Sequence, residues 1–283
     1  MADKLDSYIE NVKNLPATPT VMVRLVALFQ QPDRDVDDIV NLMRQDPSLT
    51  AEVLRHSNSA YFGHDEPIVD VFEAITRVGF YEVYKTAVSK LGSQALQVPK
   101  GTSGADVEKL WRHSTATAVT SGVIARRVHE DEGLAFTAGL LHDVGKIVLA
   151  LGEGAKYAVM MQEAGECGTA LAGVEALVFG FGHPEVGGRL LAKWGLPEEI
   201  SVPVLNHHKV CWVPPFERIC AVISLGNIMA HDIDDGIPGK QNDSQEAIGA
   251  MRVLQLEEAD LAALAEEAKA DIARMAGSLG AAA

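Results

Sequence analysis

Residues Gly139-Leu140-Leu141-His142-Asp143-Val144-Gly145-Lys146-Ile147 set an imidazole and a carboxylate side by side inside an apolar, helix-forming segment. Burying a neutral polar group without a partner costs roughly 2–7 kcal/mol, and a bare charge costs more. Any fold that buries this segment must therefore compensate His142 and Asp143, with a metal ion or with a dense hydrogen-bond network. His113, His183, His207 and His208 bring to five the number of histidines, of nine in the chain, that one pocket could gather.

The rest of the composition bounds what such a pocket can serve. At 283 residues and 47% hydrophobic, the chain can bury a sizeable core as one large or two modest domains. A formal net charge of −15 argues against broad contact with nucleic acid or anionic membrane, so neither DNA nor membrane is an expected partner. The beginning of the chain lacks an apolar signal-peptide core, and no apolar run approaching the ~20 residues of a spanning helix is expected. Cys167, Cys211 and Cys220 form no paired framework, which points to a reducing, cytoplasmic setting. Low aromatic content, 6%, with abundant Ala and Leu favours helices over sheets.

Pro, Gly and Asx residues punctuate a succession of helical patterns, and an all-α fold is expected. Val21, Leu25, Leu28 and Phe29 share one face of a helix over 20–30. Asp35 caps the next helix, which ends at Asp46-Pro47, and Ser48 caps a third that Asn58-Ser59 closes. An amphipathic segment over 69–78 precedes Gly79 and a long helix through Leu91. Gln97-Val98-Pro99-Lys100-Gly101-Thr102-Ser103-Gly104 reads as a boundary between subdomains 1–98 and 105–283. Helices are then expected over 106–128, 134–151, 155–164, 171–179, 184–194, 198–207 and 216–231, with an acidic helix pair over 245–275.

Several ordered motifs resemble one known family. Leu15-Pro16-Ala17-Thr18-Pro19, Asp46-Pro47-Ser48-Leu49-Thr50, Asn58-Ser59-Ala60 and Ala74-Ile75-Thr76-Arg77-Val78-Gly79 are similar to the HDOD domain (HD-related output domain) of bacterial signalling proteins. Trp111-Arg112-His113-Ser114, the His142-Asp143 segment, Gly182-His183-Pro184-Glu185-Val186-Gly187, Trp194-Gly195-Leu196-Pro197 and His207-His208 resemble the helical core of the HD superfamily. The resemblance covers roughly residues 12–231 and implies an N-terminal HDOD bundle packed on an HD-like helical bundle.

It also implies a metal pocket. HD-superfamily metalloenzymes use a helical His, an adjacent His-Asp pair and a later Asp, to which His113, His142 and Asp143 correspond here. His183, His207 and His208 resemble further ligands of relatives with two or three metals. Such mixed sites suit Fe, Mn, Zn or Ni, and a bound cation lowers the pKa of water enough for attack on phosphorus. No organic cofactor is implied. Two departures stand out: Asn227 occupies the place of the later Asp, and Lys109, one turn before His113, replaces a Glu. The Gly-Tyr-Pro loop of cyclic-dinucleotide hydrolases is missing as well, which argues against hydrolysis of cyclic-di-GMP.

Plainer readings stand beside these. His142-Asp143 could be a neutral imidazole bonded to a carboxylate that anchors packing, and His183, His207 and His208 could cap helices or face solvent. Lys146 could balance a phosphate, or sit on a solvated face as the simpler reading has it; Cys211 could join His207 on zinc, although a packed loop is the better account. The expected function is a regulatory signalling module, non-catalytic or weakly catalytic, acting on signalling proteins in trans with a nucleotide or phosphate as candidate ligand. The alternative is a metal-dependent phosphohydrolase with His113, His142 and Asp143 on the metal and Lys146 and Asp143 in catalytic roles. A structural adaptor is the third.

Overall fold

The computed structural model describes residues 2–12, 19–31, 33, 35–63, 66–95, 107–167, 169–212, 214–234, 236 and 244–280. Among them every regular element is a helix, as the composition leads one to expect. The proposed boundary at 97–104 and most of the Leu15–Pro19 motif lie outside the described residues.

The first half is built from α1 (Ala2–Asn11), α2 (Thr20–Phe29), α3 (Val36–Arg44), α4 (Pro47–Ser57), α5 (Val71–Val78) and α6 (Phe80–Ala95). Aspartates start three of these helices by accepting backbone N–H groups that have no partner within the helix. Asp35 accepts from Asp37, Asp70 from Phe72, and Asp46 from both Ser48 and Leu49. Asp46, and not Ser48, is therefore the cap of α4. Pro47 occupies the first turn of α4, where its missing N–H costs nothing. Asn58 closes α4 as expected: its amide donates to the carbonyls of Leu54 and Ile68 and accepts from the Ile68 N–H.

The second half centres on α7 (Val107–Val128), against which α8 (Glu132–Leu141), α14 (Glu217–Asp234) and α16 (Glu258–Gly280) pack. Around them lie α9 (Val144–Glu153), α10 (Ala155–Cys167), α11 (Leu171–Phe179), α12 (His183–Lys193), α13 (Glu198–Asn206) and α15 (Gln245–Leu254). Gly139 allows α8 to approach α7 closely, since a Cβ there would sit 2.9 Å from the Ala118 Cα. One buried core runs through both halves, and α6 meets α8 through the Tyr84 hydroxyl and Thr137 Oγ1 at 2.7 Å.

Three features depart from expectation. A single helix over 134–151 does not form: it breaks at His142-Asp143 into α8 and α9. Asp143 leaves the helical region (φ −98°, ψ 11°), in keeping with the weak helix preference of a short carboxylate whose side chain is engaged elsewhere. Second, the stretch Glu132–Glu153 is in fact long and apolar enough to cross a membrane (22 residues, mean hydropathy 1.6). Of its 18-residue apolar window 89% is buried inside the fold, so its hydrophobicity is used by the core. Third, residues 2–11 form a helix that no pattern had assigned. Leu5, Tyr8, Ile9 and Val12 make its apolar stripe, and α1 docks on α12 through Arg189–Asp6 and Lys193–Glu10 pairs.

Candidate metal centre

The break between α8 and α9 is what presents Asp143 to the histidines. Gly145 completes the arrangement: its missing side chain admits the His183 carbonyl oxygen, which a Cβ would meet at 2.0 Å. His183 opens α12, with Pro184 in the first turn, and His207 follows the last turn of α13. His142, Asp143, His183 and His207 lie up to 65 residues apart in sequence and are all buried.

Their hydrogen bonds define which atoms remain open. The Nδ1–H of His142 donates to the Gly139 carbonyl at 2.8 Å, and that of His207 donates to the Val204 carbonyl at 2.7 Å. His183 donates from Nδ1 to Glu175 Oε2 at 2.7 Å. In a neutral imidazole that leaves the lone pair on Nε2. Among the described residues, Nε2 of all three rings and Asp143 Oδ1 are buried without a hydrogen-bond partner. They face one another. His142 Nε2 lies 3.3 Å from Asp143 Oδ2, while His183 Nε2 and His207 Nε2 lie 3.4 and 3.8 Å from Asp143 Oδ1.

Four electron-pair donors converging without a proton between them repel each other, and a cation relieves that repulsion. Bonds of about 2.1 Å to an ion would put neighbouring ligand atoms about 3.4 Å apart; His183 Nε2 stands at that distance from Asp143 Oδ1, and His207 Nε2 is somewhat farther. Nδ1 contacts of this kind are what orients a histidine ring for metal ligation. Two triads meet the reach of an ion, His113–His142–Asp143 and His183–His207–His208, each with ligand atoms within 4.8 Å of one another. Burial holds the His142 imidazole below its ordinary pKa and that of His207 well below it, favouring the neutral, ligating form. Burial opposes the charge on Asp143, but the Lys146 ammonium beside it outweighs burial and holds the carboxyl well below the usual range.

The remaining expected residues have distinct places. Lys146 is not on a solvated face: its ammonium donates to Asp143 Oδ2 at 2.6 Å. The two oxygens of Asp143 thus divide, Oδ2 serving the lysine and Oδ1 facing His183 and His207. His113 is buried, with Nε2 2.9 Å from Asn227 Oδ1 and Nδ1 3.3 Å from Asp234 Oδ2. Both of its nitrogens are engaged. His208 is exposed and edge-on to His183, so it forms the solvent side of the cluster. Lys109 is exposed on α7, and Cys211 is exposed and belongs to neither triad.

Glu175 escaped notice in the sequence. Its side chain is 0% exposed and accepts from Tyr157 Oη, His183 N and His183 Nδ1. Two turns of α11 are thereby inverted, with Glu175 inside and Leu177 89% exposed. A lone acid in Leu171-Ala172-Gly173-Val174-Glu175-Ala176-Leu177-Val178-Phe179 was the available signal, of the same kind as His142-Asp143. Asp234 and the His231 ring stacked 4.0 Å from His113 had no such signal.

Comparison with known proteins agrees with this architecture. An HDOD domain protein of unknown function from Geobacter sulfurreducens superposes with a TM-score of 0.75, at 23% identity over 97% of this chain and 96% of that one. A candidate phosphohydrolase from Shewanella amazonensis SB2B gives 0.71, at 24% identity over 96% and 95%. An uncharacterised protein of Treponema pallidum is 23% identical over 238 residues, 83% of this chain and 46% of that protein. The chain spans less than half the length of the curated relatives it matches. The family model of the HDOD domain matches residues 15–210, well over half of the sequence, and the chain therefore belongs to the HDOD domain family.

Proposed function

We propose that this chain is a regulatory HDOD module whose switch element is a buried divalent-metal centre. One observation carries the reading: three imidazole Nε2 atoms and Asp143 Oδ1 are buried, unpartnered and mutually facing. His142, His183, His207 and Asp143 would hold the ion, with Fe, Mn, Zn or Ni as the suited metals. Regulation is favoured over turnover because the neighbouring groups are already engaged. His113 is held by Asn227 and Asp234, and Lys146 neutralises Asp143. The ion would tie α8, α9, α12 and α13 together, so its arrival or loss changes how those helices pack. Signalling proteins acting in trans, in a cytoplasmic setting, would read that change.

Metal analysis of protein purified without chelator tests this. The expected result is near-stoichiometric transition metal, lost in a His142→Ala/Asp143→Ala double variant that keeps its helical circular dichroism. Metal-free protein with an intact fold sinks the proposal.

Metal-dependent phosphohydrolysis is the second reading, favoured by exposed His208 beside the cluster and by the Lys146 ammonium. A bound ion would supply Lewis acidity and a water of lowered pKa. Lys146 would exchange Asp143 for a phosphate oxygen, and His208, which partial burial and the neighbouring His183 keep neutral, would accept a proton at the solvent edge. Turnover of bis-p-nitrophenyl phosphate by metal-loaded protein, abolished in Lys146→Met, would move the conclusion to this reading.

A further inference from the structure

The hydrogen bond from Tyr157 to Glu175 fixes how two neighbouring helices are turned. Tyr157 belongs to α10 and Glu175 to α11, and they meet at 2.5 Å on the buried side of both. Two residues further on, about 200° round each helix, stand Val159 and Leu177. Both therefore point outward, and they are 53% and 89% exposed, with Val178 beside Leu177 at 50%. The start of α10 lies against the end of α11, where the Lys156 ammonium is 5.5 Å from the centre of the Phe179 ring. The two helices thus run antiparallel and share one outer face.

Single apolar side chains scattered over a surface are ordinary, whereas neighbouring ones mark a contact. Three of the eight large apolar side chains exposed among the described residues fall on this one face. Charge is missing from it as well. In a chain that is 22% charged, Glu175 is the one Asp, Glu, Lys or Arg between Glu166 and Glu185, and it lies inside. A second copy of a chain with net charge −15 is repelled by most of this surface. Against α11 it meets no repulsion.

α10 supplies the orientation. Lys156, Val159 and Glu163 are exposed and follow one another at spacings of three and four residues, so they lie along one stripe of the helix. Lys156 and Glu163 stand about 10 Å apart along the axis, with Val159 between them. Turned over about a two-fold axis beside Val159, this stripe is its own complement: each Lys156 meets the partner's Glu163. Such self-matching is what an isologous dimer requires. Within its own chain the Lys156 ammonium reaches Glu153 at 3.9 Å, too long for a tight pair.

We propose that this chain forms a two-fold homodimer through α10 and α11, with Val159, Leu177 and Val178 buried between the copies and two reciprocal Lys156–Glu163 pairs flanking them. A face of two short helices is smaller than an obligate interface, so the association is reversible, with a Kd in the micromolar range. The interface uses none of the proposed metal ligands and does not depend on the metal reading.

Sedimentation equilibrium of the full chain, from about 2 to about 300 µM, tests the assignment across the range where such a Kd registers. A monomer–dimer equilibrium is expected. Leu177→Asp should weaken it at least about tenfold, because the lost apolar burial counts in both copies. The same change should leave the Tm of dilute protein unaltered, since Leu177 is almost wholly in solvent in the monomer. Lys156→Glu and Glu163→Lys should each weaken association about three- to tenfold by setting like charges opposite one another. Combining them as Lys156→Glu/Glu163→Lys should restore it, a rescue that packing roles for the two side chains do not produce. Monomer throughout the range overturns the proposal and leaves the face to an unlike protein. A dimer that Leu177→Asp leaves intact overturns it too, by placing the contact elsewhere. Failure of the charge-reversed double variant to recover overturns the two-fold arrangement.

Discussion

Replacing Glu175 probes the support of the proposed metal centre most sharply. The carboxylate sits at 0% exposure and accepts three donors: Tyr157 Oη at 2.5 Å, and His183 N and Nδ1 at 2.7 Å each. Glu175→Ala strands all three. At about 1–3 kcal/mol for each unmet buried donor, the sum is about 3–9 kcal/mol before any cavity cost. Rotation of the Tyr157 hydroxyl and entry of a water would recover part of it, so about 4 kcal/mol is expected. Glu175→Gln keeps volume and an acceptor for both His183 donors, and its amide can donate to the Tyr157 oxygen. Only charge assistance is lost, at about 1–2 kcal/mol. Urea denaturation of chelator-treated protein, followed by circular dichroism, gives both numbers. Metal affinity should also fall about 10–100-fold in the Gln variant, since a neutral amide holds the His183 tautomer but no longer raises the basicity of its Nε2. If Ala and Gln variants both unfold within about 1 kcal/mol of the parent, the buried triad contributes nothing and the account of His183 is wrong.

Other perturbations reach different parts of the fold. Gly145→Ala drives a methyl to 2.0 Å from the His183 carbonyl oxygen, and should cost about 3 kcal/mol in urea denaturation with loss of bound metal. Normal stability and metal content would show that α9 and α12 part easily. Asn227→Asp keeps an acceptor for His113 Nε2, and because neither residue is among the four proposed ligands, metal affinity in competition with a chelator should change little. A large rise would move His113 and Asn227 into the ligand set. Burial pushes the Cys220 thiol up to about 12, whereas Cys167 and Cys211 are exposed. Two thiols should therefore react promptly with Ellman's reagent at pH 8 and the third only after denaturation; three prompt thiols would contradict the packing around α14.

Local chemistry was legible wherever it depended on neighbours in the chain. Asp35 as a cap, Asn58 as a helix closer, and α11 at 171–179 all follow from a few adjacent residues. His142-Asp143 was legible for the same reason, as polar groups lodged in an apolar run. The position matched to the family's later aspartate lies beside His113, with Asn227 Oδ1 2.9 Å from His113 Nε2 across 114 residues. Periodicity could not foresee the break between α8 and α9, since Leu134–Leu151 carries a continuous helical pattern and only the engagement of Asp143 interrupts it. Lys146 was misjudged on similar grounds: a lysine one turn from a histidine looks solvated until its carboxylate partner is known to be buried.

The sequence by itself determined that this chain is helical, where most helices begin and end, and that His142 and Asp143 need a partner. Backbone capping and apolar periodicity act over three or four residues, so they survive in one dimension. Only the tertiary structure decided which nitrogens are left open. Gly145 lets α12 close on α9, Glu175 turns His183, and Lys146 claims one oxygen of Asp143. Those outcomes depend on which donors and acceptors lie within reach of one another, and that is set by how distant helices pack.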